Sequence, residues 1–95
     1  LNDKNRAKDV FEKCEALIDS LDREDFMIKK YIYLAYDVND ERGLNNKDYA
    51  KKLYIKAENL IASGGWDASE LAGYLEDFDE EWSKNVKKGN YGSQG

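Results

Sequence analysis

The sequence predicts an all-α fold, an antiparallel up-down bundle of four helices followed by a flexible C-terminal tail. Apolar residues recur at intervals of three and four along most of the 95-residue chain, which is the spacing of one helical face. No strand-like alternation competes with this pattern, and the chain contains no proline. Short connections between the predicted helices favour antiparallel neighbours. We therefore expect one helical domain over residues 1–88 and a disordered tail over residues 89–95.

The first predicted helix covers residues 3–21 and carries an apolar stripe four turns long. The stripe predicts an amphipathic helix with one buried face, and the only cysteine of the chain lies on it. A free thiol in that position usually acts as a small hydrophobe. The stripe consists of Ala7, Val10, Phe11, Cys14, Leu17, Ile18 and Leu21.

The second predicted helix, about residues 25–38, is apolar around most of its circumference. One broad side suits a buried position, whereas Phe26, Tyr33 and Tyr36 lie on the other side beside Lys29 and Lys30. At 100° per residue these aromatic residues fall outside the main buried stripe. This second side therefore needs a covering element or a partner.

The third predicted helix follows a polar loop and ends where glycines begin. Asn45 or Asn46 can cap its start, and Gly64 and Gly65 suit its C-terminus because glycine readily adopts positive φ. Its apolar stripe again has helical spacing. The stripe consists of Tyr49, Ala50, Leu53, Tyr54, Ala57, Leu60 and Ile61.

The fourth predicted helix begins at a capping box formed by Asp67 and Glu70. Apolar residues continue at helical spacing as far as Val86, and lysines near residues 84–88 suit the negative end of the helix dipole. This pattern predicts one continuous helix. Its apolar face consists of Leu71, Tyr74, Leu75, Phe78, Trp82 and Val86.

Composition excludes several classes of function. The chain has no histidine, which removes the commonest general base and metal ligand. A net charge of -5 is unfavourable for nucleic-acid binding, and no segment approaches the ~20 apolar residues of a membrane span. Neither a phosphate-binding loop nor a nucleotide-binding fingerprint is present. We therefore expect a soluble, cytoplasmic protein that is not an enzyme, holds no cofactor, and binds neither nucleic acid nor membranes.

The segment between the second and third predicted helices has the oxygen inventory of a calcium loop. Numbered as a 12-residue loop from residue 37, it places oxygen-bearing side chains at positions 1, 3, 5, 9 and 12. These candidate metal ligands are Asp37, Asn39, Glu41, Asn45 and Asp48.

This segment resembles an EF-hand loop, and Asp37-Val38-Asn39 followed by Asn45 and Asp48-Tyr49-Ala50 is similar to the loop of dockerin modules. The resemblance implies calcium binding. The segment departs from the pattern at position 6, where Arg42 replaces the usual glycine, and dockerins carry a second loop that this chain lacks. Turn and cap chemistry alone also produces loops rich in Asp and Asn, and this alternative stays open.

The acidity of the chain is concentrated in one segment. Residues 67–83 contain seven acidic residues and no lysine or arginine. Such a patch attracts a basic partner and orients it, and tyrosine is enriched at protein interfaces. A solvated helix face is the alternative. The predicted partner-binding residues are Glu76, Asp77, Glu80, Glu81, Phe26, Tyr33 and Tyr36.

These observations favour a non-catalytic interaction module that binds a protein partner, expected to be basic. A calcium-binding helical domain and a structural fragment of a larger protein are the alternatives. Homo-oligomerisation through the Tyr33 and Tyr36 face is also left open.

Overall fold

The computed structural model describes residues 3–92 and confirms the all-α class. Within this range the chain forms five helices and no strand. The helices are α1 (Asp3–Asp19), α2 (Glu24–Asn39), α3 (Lys47–Gly64), α4 (Ser69–Phe78) and α5 (Glu80–Lys87). The radius of gyration, 13.1 Å, is about that of a compact domain of this length.

The predicted count of four helices was wrong because Asp79 interrupts the fourth. Its backbone is extended, with φ -160° and ψ 96°, and its side chain accepts the Trp82 amide N–H at 3.2 Å as the N-cap of α5. A residue that caps one helix cannot continue the previous one. The start of α4 is also displaced by one residue, since Ala68 occupies the N-cap position while Asp67 accepts hydrogen bonds from Ser69.

The core lies among α2, α3, α4 and α5. Trp82 of α5 is fully buried, and its indole N–H donates to the buried carboxylate of Glu58 at 3.0 Å. The Ser83 hydroxyl donates to the Ala72 carbonyl at 2.7 Å and ties α5 to α4. Both buried polar side chains therefore have partners, as burial requires.

Helix α1 buries much less of its apolar stripe than expected. Ile18 is the only buried residue of the stripe, whereas Val10 and Leu17 are 57% and 69% exposed. Leu21, just beyond the helix, is 40% exposed, and Cys14 is half-buried. The prediction of one buried face was therefore wrong for about half of the stripe.

Polar contacts from α2 and α3 also hold α1. The Tyr31 hydroxyl donates to Asp19, and the Tyr49 hydroxyl donates to Glu15 at 2.8 Å. Lys56 pairs with Glu15 at 2.6 Å and with Asp19 at 3.0 Å. The Tyr31 hydrogen bond lowers the pKa of Asp19, and Lys56 adds to this effect against the opposing influence of burial.

The beginning of the predicted tail closes α5. The amide N–H groups of Gly89 and Asn90 donate to the carbonyls of Val86 and Asn85 at 3.0 and 2.8 Å. Gly89 has φ 79°, a conformation that glycine adopts without penalty at a helix C-terminus. Residues 93–95 of the predicted tail lie outside the described residues.

None of the described helices is both long enough and apolar enough to cross a membrane.

Candidate functional site

A cleft of about 410 Å³ opens between α2, α3 and α4. Four of its eight lining residues are aromatic, and two carry carboxylates. Residues from α2 and α3 are Tyr36, Asn39 and Tyr54, and those from α4 are Glu70, Gly73, Tyr74, Asp77 and Phe78. We refer to this site as the tyrosine cleft.

Helical spacing on α4 brings one wall of the tyrosine cleft together. Glu70, Gly73, Tyr74 and Asp77 follow one another at i, i+3, i+4 and i+7, so they share one face. A Cβ added at Gly73 would meet nothing within 4 Å. The absence of a side chain at Gly73 therefore leaves this wall open.

The aromatic rings form two layers. Tyr36 and Tyr74 meet edge to face, with ring centroids 5.6 Å apart, and Tyr36 remains 56% exposed. Beneath them, the buried rings of Tyr54 and Phe78 lie with centroids 5.0 Å apart. These separations are those of favourable aromatic pairs.

Tyr33 extends the aromatic surface beyond the cleft. Its ring lies 6.0 Å from that of Tyr74, and its hydroxyl donates to Glu70 at 2.8 Å. This hydrogen bond raises the pKa of Tyr33. The carboxylate of Glu70 is thereby held at the edge of the tyrosine cleft.

The buried phenol of Tyr54 stays neutral at physiological pH. Burial raises the pKa of Tyr54, and the neighbouring phenols of Tyr74 and Tyr36 raise it further. The formal negative charges at the cleft are therefore those of Glu70 and Asp77. Within residues 3–92, neither carboxylate pairs with a lysine or arginine.

A cation already lies against one ring of this region. The Lys47 ammonium is 5.3 Å from the centroid of the Phe78 ring, within the range of a cation–π interaction. The aromatic base of the cleft thus attracts positive charge within the protein itself.

The structure brings some of the predicted partner-binding residues together. Asp77 and Tyr36 both line the tyrosine cleft, and Tyr33 adjoins it through Tyr74. Phe26 lies at the start of α2, where the Arg23 guanidinium is 4.4 Å from its ring centroid.

The other predicted acidic residues lie outside the cleft lining. Glu76 pairs with Lys87 at 3.5 Å, and Glu80 pairs with Lys84 at 3.9 Å. Glu81 is exposed on α5. Because Asp79 separates α4 from α5, the four predicted acids do not form one continuous helix face.

Sequence reasoning assigned Asn39 to the calcium loop and did not predict five of the lining residues as partner-binding residues: Tyr54, Glu70, Gly73, Tyr74 and Phe78. Tyr74 was assigned to the apolar stripe, and Glu70 to the capping box. Gly73 did carry a signal, since an isolated glycine inside a helical pattern costs about 1 kcal/mol relative to alanine.

The predicted calcium ligands are distributed over two helices and the loop between them. Asp37 and Asn39 lie in the last turn of α2, Glu41 and Asn45 in the loop, and Asp48 in the first turn of α3. Within residues 3–92, no three or more His, Cys, Asp or Glu residues are grouped as a metal site. Calcium binding by this loop stays a prediction.

Turn and cap contacts account for the shape of this loop. Asp40 accepts the Arg42 amide at 3.3 Å and pairs with its guanidinium at 3.6 Å. Asn46 caps α3 by accepting the Tyr49 amide at 3.0 Å. Gly43 packs so closely against the Asp37 carbonyl that a Cβ would clash, which explains a glycine at this position.

No protein-family model, curated protein or solved structure matches this chain.

Proposed function

We propose that this chain is a non-catalytic interaction module that binds a basic protein through the tyrosine cleft and its acidic border. The observation that carries the proposal is the combination of exposed tyrosine rings with two carboxylates that form no salt bridge with a lysine or arginine of residues 3–92. The exposed rings supply contact area, and the carboxylates supply negative charge.

The residue types support a protein interface. Tyrosine is enriched at interfaces because its ring is large and rigid while its hydroxyl bonds to polar groups. Tyr36 and Tyr33 are 56% and 38% exposed, and a continuous row of rings joins them through Tyr74. A partner that covers this row would bury apolar surface at little cost in side-chain entropy.

Charge supports a basic partner. Glu70 and Asp77 border the cleft and give it a negative field. Such a field increases the association rate of a positively charged partner and orients its approach.

Composition supports a function without catalysis, since the chain has no histidine.

We further propose that the first four helices run antiparallel, as the short connections between them favour.

Selection from a random peptide library displayed on phage tests the proposed function. We expect the wild-type chain to enrich peptides rich in lysine and arginine. The same peptides should lose binding to the double variant Glu70→Lys/Asp77→Lys.

The control is Glu12→Lys/Asp22→Lys, which changes net charge equally at exposed positions outside the cleft. Enrichment without a basic bias contradicts the proposal, and so does equal loss of binding in both double variants. Circular dichroism establishes that each variant remains helical.

A further inference from the structure

The tyrosine cleft has the features that proteins use to bind an organic cation. Ring faces of tyrosine and phenylalanine attract positive charge through their quadrupoles, and this attraction strengthens when the cation is desolvated. Here Tyr36 and Tyr74 lie above the buried rings of Tyr54 and Phe78. The cleft is thus an open aromatic groove with a buried floor.

Two carboxylates complement the rings. Glu70 and Asp77 are separated by two helical turns on the same face of α4, with Gly73 and Tyr74 between them. A cation that enters between them finds negative charge on both sides. An ammonium or guanidinium group would also donate hydrogen bonds to these carboxylates, which strengthens such pairs.

The absence of a side chain at Gly73 leaves space for the cation at the cleft wall. Any side chain here would project into open space on the cleft wall, yet glycine costs stability inside a helix. Gly73 has no positive φ that would require glycine. Neither a clash nor an unusual backbone conformation therefore requires this glycine, and a small residue here keeps the cleft open where a large side chain would fill it.

We infer that the tyrosine cleft holds one cationic side chain of the basic partner, with its alkyl stem against Tyr36 and Tyr74 and its charge between Glu70 and Asp77. Lysine, methylated lysine and arginine share this chemistry, because each has an alkyl stem that ends in a cation. This inference rests on the proposed function and adds a specific mode of recognition to it.

The test uses capped single amino acids as probes, followed by amide NMR. The cationic probes are the N-acetyl methylamides of arginine, lysine and trimethyllysine, and the neutral counterparts are those of citrulline and norleucine. We expect saturable shifts of the Gly73 and Tyr74 amides. Each cation should bind about two- to fivefold more tightly than its neutral counterpart, as one cation–π contact at an exposed site predicts.

The three cationic probes distinguish a methylated partner from an unmodified one. Tightest binding of trimethyllysine indicates a methylated partner, because its cation donates no hydrogen bond and depends on the rings. Tightest binding of arginine or lysine indicates an unmodified partner that also donates to the carboxylates.

Two substitutions at one position provide a matched pair. Gly73→Trp fills the cleft and should abolish the shifts, whereas Gly73→Ala should retain them. Tyr36→Leu keeps an apolar side chain but removes a ring, and it should weaken the binding of each cation by about two- to fivefold.

Equal binding of citrulline and arginine overturns the inference, as does the absence of cleft shifts with every probe. If basic peptides bind the wild-type chain and lose binding to Glu70→Lys/Asp77→Lys, while arginine and citrulline bind equally, the proposed function survives but the cleft does not hold a cationic side chain. If neither peptides nor probes bind, both proposals fail.

Discussion

The ring of Tyr36 meets the ring of Tyr74 edge to face, with centroids 5.6 Å apart, although Tyr36 is 56% exposed. This contact joins α2 to α4 at the surface, above the buried rings of Tyr54 and Phe78. An exposed tyrosine held by another ring is already ordered before a partner arrives. Less conformational entropy is then lost on binding.

Gly73→Ala should stabilise the protein. The substitution removes the entropic cost of a glycine within α4, and its new methyl group meets nothing within 4 Å. We expect the free energy of unfolding to rise by about 0.5–1 kcal/mol. Urea unfolding followed by far-UV circular dichroism measures it. A loss of stability would mean that the backbone at Gly73 requires glycine, and the argument for an open cleft wall would lose its basis.

Glu58→Ala should be strongly destabilising. It would leave the buried indole N–H of Trp82 without its acceptor at 3.0 Å, which costs about 1–3 kcal/mol for the unsatisfied donor alone. Glu58→Gln keeps an oxygen acceptor and should cost less. Urea unfolding compares the two variants, and equal losses would contradict a role for the hydrogen bond.

Alkaline pH should lower the free energy of unfolding, and ionisation of Tyr31 should cause part of this loss. Burial, together with its hydrogen bond to Asp19, raises the pKa of Tyr31 to about 12, compared with about 10 in an unfolded chain. An acid whose pKa is raised by folding stabilises the folded state fully below its unfolded pKa. That contribution is lost as the pH rises from about 10 towards 12.

The urea midpoint should therefore fall above about pH 10, and fall less steeply in Tyr31→Phe. Tyr36→Phe is the matched control, since Tyr36 is mostly exposed. Identical pH profiles for the wild type and Tyr31→Phe would refute the assignment to Tyr31.

Calcium binding by the loop between α2 and α3 predicts a higher thermal midpoint in calcium than in excess EDTA, because a ligand that binds only the folded state stabilises it. Asp37→Ala should remove the difference. An unchanged midpoint in the wild type would eliminate the calcium hypothesis and leave the loop explained by its turn and cap contacts.

The helical class was predictable because the spacing of apolar residues is a local property of the sequence. The break at Asp79 was not, since Phe78 and Trp82 keep their helical spacing on either side of it. Periodicity reports which side chains share a face, but it does not report whether the backbone between them stays helical. The cap formed by Asp79 decides this point.

Burial was less predictable than secondary structure. The stripe on α1 has the same spacing as a core stripe, yet Val10 and Leu17 remain exposed. The depth to which a face is buried depends on how many helices pack around it, and this number is a property of the tertiary structure. Tyr36 and Asp77 were predicted as partner-binding residues from helical position and charge, and that role stays a prediction. The contact of Tyr36 with Tyr74 could not be predicted because it depends on how α4 packs on α2.

The most direct test of the central proposal is an amide NMR titration of the wild-type chain with a short peptide rich in lysine and arginine. The proposed binding mode predicts saturable shifts concentrated at Asn39, Gly73, Tyr74 and Asp77. Shifts confined to α1 or to the exposed acids of α5, or no shifts at all, would contradict it.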